Sequence, residues 1–167
     1  VEFGVVADEV IFGKPAHKIR AGNRSIETKA LIISTGAGHR HLDVPGETEL
    51  ETKGVTYCAT CDGALPMFRN QPLVVVGGGD SACEEATFLT RFASTVYLVH
   101  RRDQLRASKI MAERALGNPK IKPVWNSVVE SVEGVSQGKV TGVRLKDTTT
   151  GRSEEHTSEL QSRIRIS

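Results

Sequence analysis

The sequence predicts an α/β fold built on a buried parallel sheet and preceded by a shorter, β-rich segment. Three observations predict it. Leu73-Val74-Val75-Val76 is a run of four apolar, mostly β-branched residues bounded by Pro72 and Gly77, the pattern of a strand covered on both faces. Asp80 to Phe92 follows, with Ala82, Ala86, Leu89 and Ala93 at spacings of four and three on one helical face. Val96 to Val99 is a second buried strand, and strand, helix, strand in that order is a βαβ unit.

Composition sets the bounds. At 167 residues the chain can bury one good core but not two complete domains. Hydrophobic residues at 38% and charged residues at 25% fit a globular protein in water. The net charge of +2 is too small to attract nucleic acid or a membrane surface. No stretch approaches the roughly 18 apolar residues of a membrane span, and no signal-peptide pattern opens the chain. The first residue is Val, not Met, which suggests a beginning further upstream. Three cysteines, two of them in one CxxC, are not a secreted disulfide framework. They fit a reducing, cytoplasmic setting with a catalytic or metal-binding pair.

In chain order, Phe3 to Ser34 is β-rich. Two or three short strands are expected, broken at Gly13-Lys14-Pro15 and at the hairpin signal Gly22-Asn23. Leu31 to Ser34 is predicted as a fully apolar strand. Thr35-Gly36-Ala37-Gly38 ends it with small residues, which suit either a close approach of backbone to a ligand or a plain turn. The polar stretch around Pro45-Gly46 is expected to be a linker. After the βαβ unit, Arg106 to Leu116 is predicted as a helix ended by Gly117-Asn118-Pro119. Lys122 to Trp125, Val128 to Val132 and Val140 to Leu145 are expected strands, with Trp125 packing on one of them.

Three motifs carry chemistry. Gly77-Gly78-Gly79-Asp80-Ser81-Ala82 satisfies GxGxxA between a strand and a helix. There the first glycine permits a tight turn, the second lets backbone approach a pyrophosphate, and Ala82 allows close packing of helix on strand. The helix N-terminus then offers its amides to phosphates. This is a Rossmann-like dinucleotide site. An NAD site would place an acid at the tip of the second strand, about 20 residues on. Here the strand ends in His100-Arg101-Arg102, with Arg106 a turn later, and guanidinium forks fit an extra phosphate. The predicted cofactor is NADPH.

The third motif is Cys58-Ala59-Thr60-Cys61. Zinc would need two further ligands, and neither a second CxxC nor an HxxxH is present. Cys83 sits on the helix after the glycine loop, where burial as a small hydrophobe is expected. No metal site is predicted. A CxxC stores two electrons and a nicotinamide delivers two, so the pair beside the nucleotide site suggests redox chemistry. Asp62, next to the second thiol, is either a proton carrier or a turn former ahead of Gly63.

CATCDG at 58–63, GGGDSACEEA at 77–86, HRRDQLRAS at 100–108 and NPKI at 118–121 together resemble the low-molecular-weight thioredoxin reductases, flavoproteins of the two-dinucleotide-binding type. The resemblance covers about Phe3 to Gly151. It implies that residues 1–42 are the later, β-rich part of a partial FAD-binding domain, with Thr35, Gly36 and Ala37 as a flavin contact. Residues 43–54 would be a linker and half of a hinge, and residues 55–151 the NADPH-binding domain with its CxxC. For the intact protein it implies a relay from NADPH through FAD to the Cys58–Cys61 disulfide and then to thioredoxin, by exchange through a mixed disulfide. Asp62 would protonate the departing thiolate, and the intact protein would be a homodimer. The family's opening FAD-binding GxGxxG and its closing GD-containing segment do not occur, so this chain alone is expected to be an inactive internal piece. The alternatives are the flavin subunit of an alkyl hydroperoxide reductase-type system and a non-catalytic NADP-binding or zinc-binding module. Finally, Arg152 to Ser162 reads RSEEHTSELQS, the translation of a common sequencing-library adapter, so residues 152–167 are expected to be an artefact. Their three arginines and three glutamates cancel, leaving the charge argument intact.

Overall fold

A computed structural model describes residues 3–36, 38–155 and 163–166. The chain divides into two compact units, Val1–Gly38 and His39–Ser167.

The first unit is an antiparallel meander of β1 (Glu9–Ile11), β2 (His17–Ala21) and β3 (Arg24–Thr28). Ala21 faces Arg24 across the two-residue turn Gly22-Asn23, as the sequence predicted, and Gly22 takes the positive φ of 59° that such a turn requires. Cross-strand pairs Lys18–Glu27 and Arg20–Glu9 decorate its exposed face. Leu31 to Ser34 departs from expectation. It is not a strand, and Ile32 and Ile33 are 90% and 62% exposed. A strand exists only when a neighbour takes up its backbone groups, and no described strand pairs with this segment.

The second unit is a three-layer sandwich. Its centre is a parallel sheet in the order β4 (Val55–Thr56), β11 (Arg163–Ile166), β5 (Pro72–Val76), β6 (Thr95–Val99) and β7 (Ile121–Val124). Alternation along β5 and β6 explains their unbroken apolar runs. Leu73, Val75, Val96 and Leu98 face a core shared with α2 (Asp80–Leu89) and α3 (Lys109–Leu116). Val74 and Val99 face the other way, into a core with Val129, Val132, Val143 and Leu145. Those four come from β8 (Ser127–Glu133) and β9 (Gly142–Asp147), which pair antiparallel and are extended by β10 (Ser153–Glu155). Each fully buried Val or Leu contributes about 1.5–3 kcal/mol, so both faces of the central strands are well anchored.

Two boundaries moved for identifiable reasons. The helix expected from Arg106 begins at Lys109, because the amides of Arg106 and Ala107 both donate to Gly78 O, at 2.7 and 3.0 Å, and Ser108 N donates to Asp80 Oδ1 at 2.6 Å. The last expected strand starts at Gly142 instead of Val140, since Val140 N donates to Lys53 O and Thr141 N to Glu133 O. Residues 43–54 are tied into the second unit: Leu50 is fully buried, and Val132 N donates to Pro45 O. Strands β10 and β11 fall within residues 152–167. Their ladders are backbone contacts that any non-proline sequence can form.

Candidate functional site

The dithiol motif sits on a four-residue helix, α1 (Ala59–Asp62), that directly follows β4. Cys58 is its N-cap, and Sγ accepts the Cys61 amide at 3.2 Å. Cys58 and Cys61 form a disulfide across a Cα–Cα distance of 5.2 Å. Cys58 is half-buried and Cys61 exposed. Gly63, expected only as a turn residue, has a packing role. A Cβ there would lie 2.6 Å from Ala59 O and 2.7 Å from Leu89 Cδ2, so the glycine lets α1 settle on α2.

Two carboxylates flank this turn. Asp62 Oδ2 accepts the Thr56 hydroxyl, and Thr56 Oγ1 in turn accepts the Cys58 amide at 3.3 Å. Glu47 is 1% exposed and accepts from Leu42 N, Asp43 N and Tyr57 Oη at 3.0, 2.7 and 3.0 Å. Burial pushes the Glu47 pKa up, but the donors from Leu42, Tyr57, Asp43 and Val44 outweigh it and hold the carboxyl below its ordinary value. Burial, with the bond to Glu47 and the nearby charges of Glu47, Glu51 and Asp43, raises the Tyr57 phenol well above its usual range. His39 stacks on the Tyr57 ring at 3.9 Å, and His41 Nδ1 lies 3.0 Å from the phenol oxygen. Segment 39–47 is thus clamped to the residue that precedes Cys58.

The glycine loop and the arginines line one cleft of about 470 Å³. Gly77, Gly78, Gly79, Ser81, Ala82, His100, Arg101, Arg102 and Arg106 all contribute to it. Asp80 does not; its carboxylate caps the Ser108 amide and ties the loop after β6 to the start of α2. Gly77 has φ of 154°, and Gly79 caps α2 with open space where a Cβ would point, leaving the helix amides accessible. Gly78 is required for another reason: a Cβ would fall 2.3 Å from His100 Nδ1. Burial lowers the His100 pKa, a hydrogen bond to the Gln104 backbone pulls it partly back, and the charges of Arg101, Arg102 and Arg106 press it down again. His100 Nε2 is buried with no hydrogen-bond partner among the described residues. Trp125 is half-buried, its ring set edge-on to His100 at 6.5 Å.

The remaining predicted site residues lie elsewhere. Thr35 and Gly36 belong to the first unit and are exposed, Gly36 with a positive φ of 79°, while Ala37 lies outside the described residues. Cys83 is buried in the helix-side core, where burial first and the Asp80 charge second raise its pKa. Sequence reasoning missed Thr56, Glu47 and Tyr57 around the dithiol, and Arg40, Ser127 and Val129 on the glycine–arginine cleft. The β-prone pair Val55-Thr56 ends a strand two residues before the first thiol, and that was the available signal for Thr56.

Comparison with known proteins bears on this geometry. The family model for pyridine nucleotide-disulphide oxidoreductases matches residues 3–158. Among curated relatives, a thioredoxin reductase of Mycolicibacterium smegmatis is 54% identical over 144 residues, covering 86% of this chain and 45% of the relative. One from Listeria monocytogenes is 50% identical over 143 residues, covering 86% and 44%. A solved thioredoxin reductase from Lactococcus lactis superposes with a TM-score of 0.75 at 41% identity, over 98% of this chain and 52% of that one. The enzyme from Giardia duodenalis gives 0.77 at 37% identity over the same shares. The chain spans about half the length of the relatives it matches.

Proposed function

The chain belongs to the pyridine nucleotide-disulphide oxidoreductase family, and from that premise we propose that it is the NADPH-binding and dithiol-bearing part of a flavoprotein that reduces thioredoxin. One observation carries this reading: a single compact unit holds both a CxxC disulfide and a phosphate-ready cleft with three arginines at its strand tip. Residues 55–151 form the nucleotide domain in this reading, 43–54 its linker, 1–42 part of the flavin domain, and 152–167 the translated adapter.

The cleft fits NADPH on its own features. The amides at the start of α2 would hold the pyrophosphate, Arg101, Arg102 and Arg106 the 2′-phosphate, and His100 Nε2 supplies a buried polar atom in need of a partner. Bound there, the cofactor supplies a hydride, two electrons that match the two a disulfide takes up. For FAD the fit is not made by this chain, since Thr35 and Gly36 on an exposed segment are one contact and not a cradle. The dithiol turn does its own part of the work. The exposed Cys61 side meets the partner disulfide, and Asp62 carries a proton to the departing sulfur. The parent protein is read as a cytoplasmic homodimer, and no helix among the described residues is long and apolar enough to cross a membrane.

The test is nucleotide titration of this chain. NADPH should bind at least tenfold more tightly than NADH, and Arg101→Ala with Arg102→Ala should erase that ratio. Equal affinities in the parent chain, or a ratio that survives both substitutions, would remove the NADPH assignment.

A further inference from the structure

We propose that Thr56 is the positioning residue for Asp62, a hydroxyl that aims the proton-carrying carboxylate at the dithiol; this rests on the reading of Asp62 given above. A threonine hydroxyl has one proton to give and lone pairs to receive. Here both are committed. The O–H goes to Asp62 Oδ2, and Oγ1 receives the amide of Cys58. One atom therefore joins the backbone of the first sulfur's residue to the carboxylate that follows the second.

The placement is rigid on the threonine side. Thr56 ends β4, its β-branched side chain has few rotamers, and the Cys58 amide fixes which way its oxygen faces. Asp62 is the freer member, at the end of a single helical turn. Both residues line a cleft of about 190 Å³ whose other walls include Val55, Leu65, Met67 and Phe68. Glu51 and Tyr57 line it too, and it gives solvent a way to the Asp62 carboxylate.

The chemistry that needs such aim is the exchange step. One thiolate of the reduced pair attacks a substrate disulfide, the substrate S–S bond breaks, and one substrate sulfur leaves carrying two electrons and needing a proton. The second cysteine then attacks the mixed disulfide, releasing the other substrate sulfur. Both protons of the original dithiol end on the substrate, whose disulfide is reduced as Cys58–Cys61 is oxidised. Asp62 takes a proton from the second cysteine and hands it to a departing sulfur. Thr56 holds the carboxylate where both transfers can occur.

The experiment uses this chain, reduced, with glutathione disulfide, whose departing alkyl thiolate takes up a proton over this range, and follows release of glutathione from mildly acid to mildly basic pH. Thr56→Val should slow exchange about tenfold and shift the acid limb of its pH profile, while Thr56→Ser stays within about twofold. In the Asp62→Asn background Thr56→Val should add less than about twofold. Three results would overturn the proposal. Thr56→Val could leave the Asp62-dependent rate and pH profile untouched. It could slow Asp62→Asn as much as the parent, meaning that it acts through the Cys58 amide instead. Or Asp62→Asn could exchange at the parent rate, which would remove the underlying reading of Asp62 itself. NADPH affinity, set at the other cleft, reports folding for every variant.

Discussion

The cleft of the glycine loop and arginines and the dithiol turn sit on one unit and are built by opposite means. The cleft is made by leaving things out. Three glycines expose backbone amides, and among the described residues no carboxylate forms an ion pair with Arg101, Arg102 or Arg106. The dithiol turn is made by filling in. Asp62 is held by Thr56, and Glu47 by two amides and a phenol. A site for a charged ligand must keep its own charges unpaired until that ligand arrives, whereas a site that cycles covalently must keep its neighbours fixed through every turn.

The comparison can be broken most sharply at the sulfurs. Cys58→Ser should abolish reversible oxidation outright: the number of thiols alkylated in denaturant, which rises by two on reduction of the parent, should not change in the variant. At the cleft, Arg101→Ala with Arg102→Ala should cut NADPH affinity about a hundredfold, down to that of NADH, which stays nearly unmoved, as the loss of two charge-assisted bonds of about 1.5 kcal/mol each would. Gly78→Ala forces a Cβ into the His100 ring and should cost about 1–3 kcal/mol in a denaturant titration, with weakened nucleotide binding.

A gentler cut is Glu47→Gln, which keeps the shape of the clamp but removes its charge. It should cost about 1–2 kcal/mol at neutral pH. The Glu47 pKa is depressed on folding, so its contribution is fully present above the ordinary value of 4.5 and is lost as pH falls through the lower folded value. The parent should therefore lose stability on acidification below about pH 4.5, and the glutamine variant should lose measurably less over that window. Smallest of all, Lys120→Met removes an ammonium that has no ion-pair partner among the described residues but donates to Thr90 O and Ala93 O, at 2.9 and 3.1 Å. It should lower the unfolding midpoint by an amount equivalent to about 0.5–1.5 kcal/mol.

The same contrast explains what could be read from the amino acids in advance. One side of the cleft was legible because its parts are contiguous: an apolar strand, a glycine turn, a helix and a basic strand end all lie between Leu73 and Arg106, whereas Arg40, Ser127 and Val129 reach it from distant segments. Local spacing decides such features. The start of α3 was misplaced because a tertiary contact, the Gly78 carbonyl, takes the amides of Arg106 and Ala107 before a helix can use them. Leu31 to Ser34 has the composition of a buried strand, but pairing is not a property of one segment. Glu47 looked like a linker glutamate because its phenol partner is ten residues away, with nothing between them to mark the pair. Thr56 was passed over because its importance lies in two bonds that exist only once α1 has turned back on β4.

Gly78 and His100 occupy one another's space: the missing side chain of the first is the seat of the second's imidazole. Evolution cannot enlarge one without shrinking the other, so the two positions should covary wherever this loop has diverged. Anyone grafting the loop onto a different scaffold must move both together, since either alone arrives without its counterpart.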